Sequence, residues 1–166
     1  LTVQGDLSKI LSLIIKEIKK KKINFEKKKI VGWWKQINKW RARDCLSYKN
    51  SNKIIKPQYA LQRLDFLTSK FDPFITTEVG QHQMWAAQYL TFNKPKHWMT
   101  SGGLGTMGYG LPAAMGVQIA HPKGLVIDVA GEASILMNIQ EMSTIKQYRL
   151  PVKIFILNNQ YMGMVR

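Results

Sequence analysis

Two stretches decide the fold: Leu125-Val126-Ile127-Asp128-Val129-Ala130-Gly131-Glu132-Ala133-Ser134 and Val152-Lys153-Ile154-Phe155-Ile156-Leu157-Asn158-Asn159. Leu125–Val129 is a short apolar run of the kind that a parallel sheet buries on both faces. Gly131-Glu132-Ala133-Ser134 stops it and opens a helix, with Ile135, Ile139, Met142 and Ile145 spaced for one face. Val152–Leu157 is a second buried-type run. Strand, helix and strand in that order predict a right-handed parallel crossover. The domain is therefore expected to be α/β, a parallel sheet with helices on both faces.

In open parallel sheets ligands bind beyond the carboxyl ends of the strands. Here those ends carry Glu132 and Asn159. A carboxylate and an amide at adjacent strand ends are hard oxygen donors, suited to Mg²⁺ or Ca²⁺. The N–H groups around Ala133 and Ser134, at the start of a helix, favour a phosphate beside that metal. Metal plus diphosphate is the site this topology proposes.

Working outward, Pro57 opens a helix through Leu61, Leu64 and Leu67, and Phe74-Ile75-Thr76-Thr77 reads as a short strand. Gly80-Gln81-His82-Gln83 leads into a helix through Met84, Ala87 and Gln88. The glycine-rich loop from Ser101 to Gly110 leads into a helix of small residues, Ala113, Ala114 and Gly116. Gly103-Leu104-Gly105-Thr106-Met107-Gly108 also matches G-x-G-x-x-G, with Asp128 twenty residues beyond Gly108. A dinucleotide fingerprint needs a strand before its glycines and the acid at a strand end. The preceding Lys94-Pro95-Lys96-His97-Trp98 does not read as a strand, and Asp128 lies inside one, where it reads as structural.

Residues 1–56 have another character. They hold 16 Lys/Arg against 4 Asp/Glu, while residues 57–166 hold 9 against 6, so most of the net charge of +15 is local. Its centres are Lys19-Lys20-Lys21-Lys22 and Lys27-Lys28-Lys29. Such blocks are commonly solvated, and they read as an exposed linker, with no nucleic acid partner. Leu7, Ile10, Leu11, Ile14, Ile15 and Ile18 predict an amphipathic helix behind an N-cap at Asp6. Trp33, Trp34, Ile37 and Trp40 predict a second helix whose tryptophans serve packing. Residues 41–56 read as a linker. Ile10–Ile15 is too short to span a membrane, and the single Cys45 fits a reducing compartment. Leu1 in place of Met, and a stop at Arg166 just after a loop, are read as the ends of an excerpt.

Gly131-Glu132-Ala133, then 24 residues, then Asn158-Asn159, looks like the thiamine-diphosphate signature. From Lys56 onward the chain resembles the catalytic subunit of acetolactate synthase (acetohydroxyacid synthase). The segments that carry the resemblance are Gly80–Gln88 (GQHQMWAAQ), Thr100–Gly108 (TSGGLGTMG) and Leu157–Val165 (LNNQYMGMV). Roughly two thirds of the chain is covered. Residues 1–55 look like the tail of that family's middle domain and the linker after it. Residues 56–166 look like its diphosphate-binding domain, truncated at the C-terminus.

The resemblance implies roles. Glu132 and Asn159 would bind Mg²⁺ by side chain and Tyr161 by its backbone carbonyl. Ala133 and Ser134 would hold the diphosphate, with Gly80, Gln81, His82, Met162 and Gly163. Gly105 and Met107 would touch the organic part of the cofactor, Met107 keeping it bent. Where the family has Asp, this chain has Glu132, one methylene longer.

The implied activity is decarboxylation of pyruvate and condensation with a second 2-oxo acid, in branched-chain amino-acid biosynthesis. The implied setting is a cytoplasmic homodimer with its active site between subunits, FAD bound outside this stretch, and a small regulatory subunit. The resemblance also implies that the activating glutamate comes from another domain; Glu17 and Glu26 sit in the lysine-rich arm and Glu141 on the crossover helix. Other readings are a different thiamine-diphosphate decarboxylase, carboligase or oxidase, or a non-catalytic basic fragment that binds polyanions.

Overall fold

A computed structural model describes residues 2–21 and 27–165; Lys22 and Glu26 of the lysine-rich arm, and Arg166, lie outside them. The chain divides into two compact units, Leu1–Ser47 and Tyr48–Arg166.

The first unit holds α1 (Leu7–Lys21) and α2 (Lys27–Arg41). Asp6 caps α1 as expected: its Oδ1 accepts the N–H of Lys9 at 3.0 Å. Apart from the partly covered Ile10, the apolar stripe of α1 is exposed from Leu7 to Ile18, and none of its residues is buried. In α2, Trp33 meets Trp40 edge to face at 5.6 Å, and Arg41 lies over the ring of Trp34. The three tryptophans stay about half exposed.

In the second unit α3 (Pro57–Thr68) begins with proline in its first turn, where the missing N–H costs nothing. There follow β1 (Phe74–Thr77), α4 (Gln81–Tyr89), β2 (Trp98–Thr100), α5 (Gly110–Ala120), β3 (Val126–Gly131), α6 (Glu132–Leu136), α7 (Met142–Gln147) and β4 (Lys153–Leu157). All strand pairs are parallel, in the order β2-β1-β3-β4. The strands expected at Phe74–Thr77, Leu125–Val129 and Val152–Leu157 are all present, within a residue or two at their ends. β4, expected to be buried, instead ends the strand order among the described residues, with none of its residues buried and Ile156 49% exposed.

Alternation along the strands sorts side chains to two faces. Ile75, Ile127 and Val129 pack with Leu61 of α3 and Ala86 of α4. Ala130 packs with Leu111 of α5 and Ile135 of α6 on the other face, joined by Ile145 and Ile154. Helices therefore cover both faces, and β3, between them, is buried along its whole length.

Two further expectations need correction. The helix expected through Ile135, Ile139, Met142 and Ile145 is broken: α6 stops at Leu136, a 3₁₀ turn covers Ile139–Glu141, and α7 restarts at Met142. Ile139 and Met142 are 43% and 47% exposed, so only Ile135 and Ile145 serve the core. The break falls at Asn138, whose φ of −134° and ψ of 29° leave the helical region. The glycine loop, moreover, does follow a strand: β2 supplies three residues directly before it, pairing Trp98 with Ile75 and Thr100 with Thr77. The other objection to a dinucleotide site holds, since Asp128 is fully buried within β3.

Candidate functional site

The carboxyl ends of β1, β3 and β4 open onto one cavity of about 190 Å³. Each strand hands the chain to it differently. After β1, Glu78 and Val79 lead to Gly80 and the first turn of α4, which brings in Gln81, His82 and Trp85. After β3, Gly131 passes directly into α6 with Glu132, Ala133 and Ser134. After β4, Asn158 and Asn159 start an irregular segment through Tyr161, Met162, Gly163 and Met164. The loop between β2 and α5 adds Gly105 and Met107. Every residue that the sequence singled out for cofactor or metal thus lies around this one cavity.

Glu132 and Asn159 meet at a single point. The N–H of Tyr161 donates to Glu132 Oε1 at 2.8 Å and to Asn159 Oδ1 at 3.1 Å. Two oxygen acceptors converging on one positively polarised group form a donor set that a hard divalent cation fits. The longer side chain of Glu132 reaches this point. Tyr161 meets the pair through its N–H. Asn159 Nδ2 in turn donates to Gln81 Oε1 at 3.3 Å, tying the end of β4 to the start of α4. Among the described residues no three His, Cys, Asp or Glu side chains cluster as a metal site, so a cation here would need amide and main-chain oxygens beside the Glu132 carboxylate.

Close approach defines the floor. A side chain at Gly163 would run into the carboxamide of Gln81, so the segment after β4 lies close against α4 and a larger residue there would make that amide shift. Ser134 is buried and its hydroxyl donates to the Gly131 carbonyl at 3.3 Å, holding the first turn of α6. That helix has only five residues, so its free N–H groups matter more than its dipole.

His82 is 5% exposed, and its Nε2 has no hydrogen-bond partner. Burial pushes its imidazole down to about 4, while the Glu78 main chain and the Glu132 carboxylate pull the other way. It is therefore neutral near pH 7 and able to donate or accept. A buried polar atom without a partner in a cavity wall is where a polar ligand fits.

The sequence reading passed over several residues. Trp85 and Met164 line the cavity; both lie inside the quoted motifs, which was their only signal. Glu78 is fully buried and accepts the N–H groups of Gly108 at 2.7 Å and Leu111 at 3.0 Å. Desolvation raises its pKa while these amide bonds lower it. It stands beside Asp128, which Thr76 Oγ1 reaches at 3.0 Å and whose second oxygen has no partner. Desolvation first, and then the neighbouring Glu78, push Asp128 up to about 7. Of the two carboxyls Asp128 keeps the proton, because Glu78 faces several N–H groups and Asp128 one hydroxyl.

Among the described residues no helix is long and apolar enough to cross a membrane. Residues 78–166 match the family described as thiamine pyrophosphate enzyme, C-terminal TPP binding domain. Over 164 residues the chain is 48% identical to the acetolactate synthase isozyme 3 large subunit of Escherichia coli (strain K12), covering 99% of this chain and 28% of that protein. It is 46% identical over 160 residues to the acetolactate synthase large subunit of Haemophilus influenzae, covering 96% of this chain and 27% of that protein. It is 53% identical over 135 residues to acetolactate synthase 2, chloroplastic, of Brassica napus, covering 81% of this chain and 21% of that protein. The chain spans about a quarter of the length of these relatives. With the family matched over the whole cavity wall and every strand but β1, the chain belongs to the thiamine pyrophosphate (thiamine diphosphate) enzymes and carries their C-terminal cofactor-binding domain.

Proposed function

We propose that this chain supplies the diphosphate-and-metal half of an acetolactate synthase active site. The observation that carries the reading is the meeting of Glu132 and Asn159 at one point on a cavity also lined by Ser134, His82 and Gly163. Relatives that are 46% to 53% identical bear that enzyme's name. Mg²⁺ would be held by Glu132, Asn159 and the backbone carbonyl of Tyr161, all oxygen donors. The N–H groups of Ala133 and Ser134, with Gly80, Gln81, Met162 and Gly163, would hold the diphosphate. His82 Nε2 would gain there the partner it lacks. Gly105 and Met107, on the loop opposite, would bound the organic half of the cofactor.

When bound, thiamine diphosphate supplies the electron sink for loss of CO₂ from a 2-oxo acid. The residues of this chain would anchor one end of the cofactor, hold the Mg²⁺ that offsets the diphosphate charge, and line its apolar part. The rest of the proposed setting is pyruvate and a second 2-oxo acid as substrates, and a cytoplasmic homodimer in which another domain brings the activating glutamate. FAD would bind elsewhere in the full protein, and a small regulatory subunit would join it. The free, exposed Cys45 fits a reducing compartment.

Calorimetric titration with thiamine diphosphate, with and without Mg²⁺, tests the site. Asn159→Ala should weaken Mg²⁺-dependent binding about tenfold or more, as expected for one lost metal contact. If Glu132→Ala and Asn159→Ala both leave that affinity untouched, the reading fails.

A further inference from the structure

Met107 enters the cavity wall on a loop, yet the peptide that follows it is held like core backbone. The N–H of Gly108 donates to Glu78 Oε2 at 2.7 Å, and its carbonyl accepts from Asn138 Nδ2 at 2.6 Å. The other oxygen of Glu78 accepts the N–H of Leu111 at 3.0 Å, so one carboxylate fastens both the end of the loop and the first turn of α5. Gly108 has a φ of +87°, and a Cβ there would lie 2.7 Å from Asn138 Nδ2, which leaves no room for a side chain in the clamp. On the near side of Met107, Ser101 Oγ accepts the N–H of Thr106 at 3.0 Å.

Glu78 does not line the cavity. Its 0% exposure means that its charge is tolerated only while backbone N–H groups face it. A loop that moved away would strand that carboxylate, so the energy of the buried charge is tied to the loop's conformation. Asn138, where the crossover leaves the helical conformation, is the residue whose amide reaches Gly108.

We propose that Glu78 and Asn138 are positioning residues that set Met107 in the cavity wall by holding both polar groups of the next residue, Gly108. The consequence for the cofactor rests on the reading above, in which Met107 bounds its organic half. Glu78 and Asn138 would then control that half's affinity without touching it.

The test uses the whole 166-residue chain with methyl-¹³C methionine, the Met107 signal being assigned through Met107→Leu. Calorimetry with Mg²⁺–pyrophosphate and with Mg²⁺–thiamine diphosphate reads the two halves of the cavity separately. Glu78→Gln keeps one acceptor and loses the other; Asn138→Asp keeps its shape and loses the donor. Asn138 is only half-buried, so its variant remains informative should Glu78→Gln fail to fold. Each variant should broaden or split the Met107 methyl signal. Each should weaken thiamine diphosphate about tenfold, the loss expected when one apolar contact and its orientation go, and leave pyrophosphate within about twofold. A folded variant with a sharp, unshifted Met107 signal overturns the clamp. If the unaltered chain binds neither probe, the proposed function falls, while the methyl signal, which needs no ligand, still decides the clamp.

Discussion

Replacing Asp128 with Asn removes a proton equilibrium from the middle of the sheet while keeping the shape of the side chain. In the unfolded chain Asp128 releases its proton near 3.8; in the fold it holds on until about 7. Between those values the folded state carries the extra proton, so every rise in pH subtracts stability, from about pH 4 until the loss is complete above about 7. At about 1.36 kcal/mol per pH unit, the interval amounts to about 4 kcal/mol. An Asn side chain carries no such cost. Its carbonyl keeps the Thr76 hydroxyl, and its amide takes the place of the protonated oxygen beside Glu78. The Asp128→Asn variant and the parent should be nearly equal in stability at pH 4, and the variant should gain about 2 to 4 kcal/mol at pH 8. For a chain of this size each kcal/mol moves Tm by about 2–4 °C. Thermal unfolding of both proteins at half-unit steps from pH 4 to 8 measures the difference. Parallel Tm curves across that range would refute the protonated buried carboxyl and the assignment of the negative charge to Glu78.

Gly110→Ala should cost about 3 kcal/mol or prevent folding, because its Cβ would press on Asp128 and lie 2.6 Å from the backbone N of Glu78, which cannot move aside; chemical denaturation of the purified variant checks it. Glu132→Asp should draw the carboxylate back from the Tyr161 N–H and tighten Mg²⁺-dependent thiamine diphosphate binding, since Mg²⁺ favours near-ideal octahedral geometry; weaker binding in the same titration would mean that the pocket is fitted to the longer arm. The 166-residue chain given pyruvate, Mg²⁺ and thiamine diphosphate should form no acetolactate, because the activating glutamate of the proposed site belongs to another domain and the buried Glu78 is turned to backbone N–H groups; a colorimetric product assay decides it.

The parts that were legible in the sequence are those whose cause is local. β3 and β4 announced themselves as apolar runs, interrupted only by Asp128 and Lys153, and Pro57 marked the start of α3. Glu132 and Asn159 could be placed together because parallel pairing of adjacent strands puts their carboxyl ends side by side. β2 was missed because an edge strand of three half-buried residues needs no apolar run. The broken crossover was missed because the helical period continues through Asn138, whose partner is a carbonyl thirty residues earlier in the chain. Glu78 was invisible for the same reason: a lone acid after Thr77 reads as a surface residue until Gly108 and Leu111, 30 and 33 residues away, fold over it.

The cavity wall is drawn from four separate stretches, around residues 79–85, 105–107, 131–134 and 157–165, and they come together only once the sheet has formed. Anything that binds there therefore binds the folded chain alone and draws the folding equilibrium with it. A ligand at about a hundred times its Kd adds about 2.7 kcal/mol to the free energy of unfolding, comparable with the whole effect of the Asp128 variant. The melting temperature of this chain should rise with the logarithm of ligand concentration, so that supply of the ligand sets how long the protein lasts as well as how much of it works.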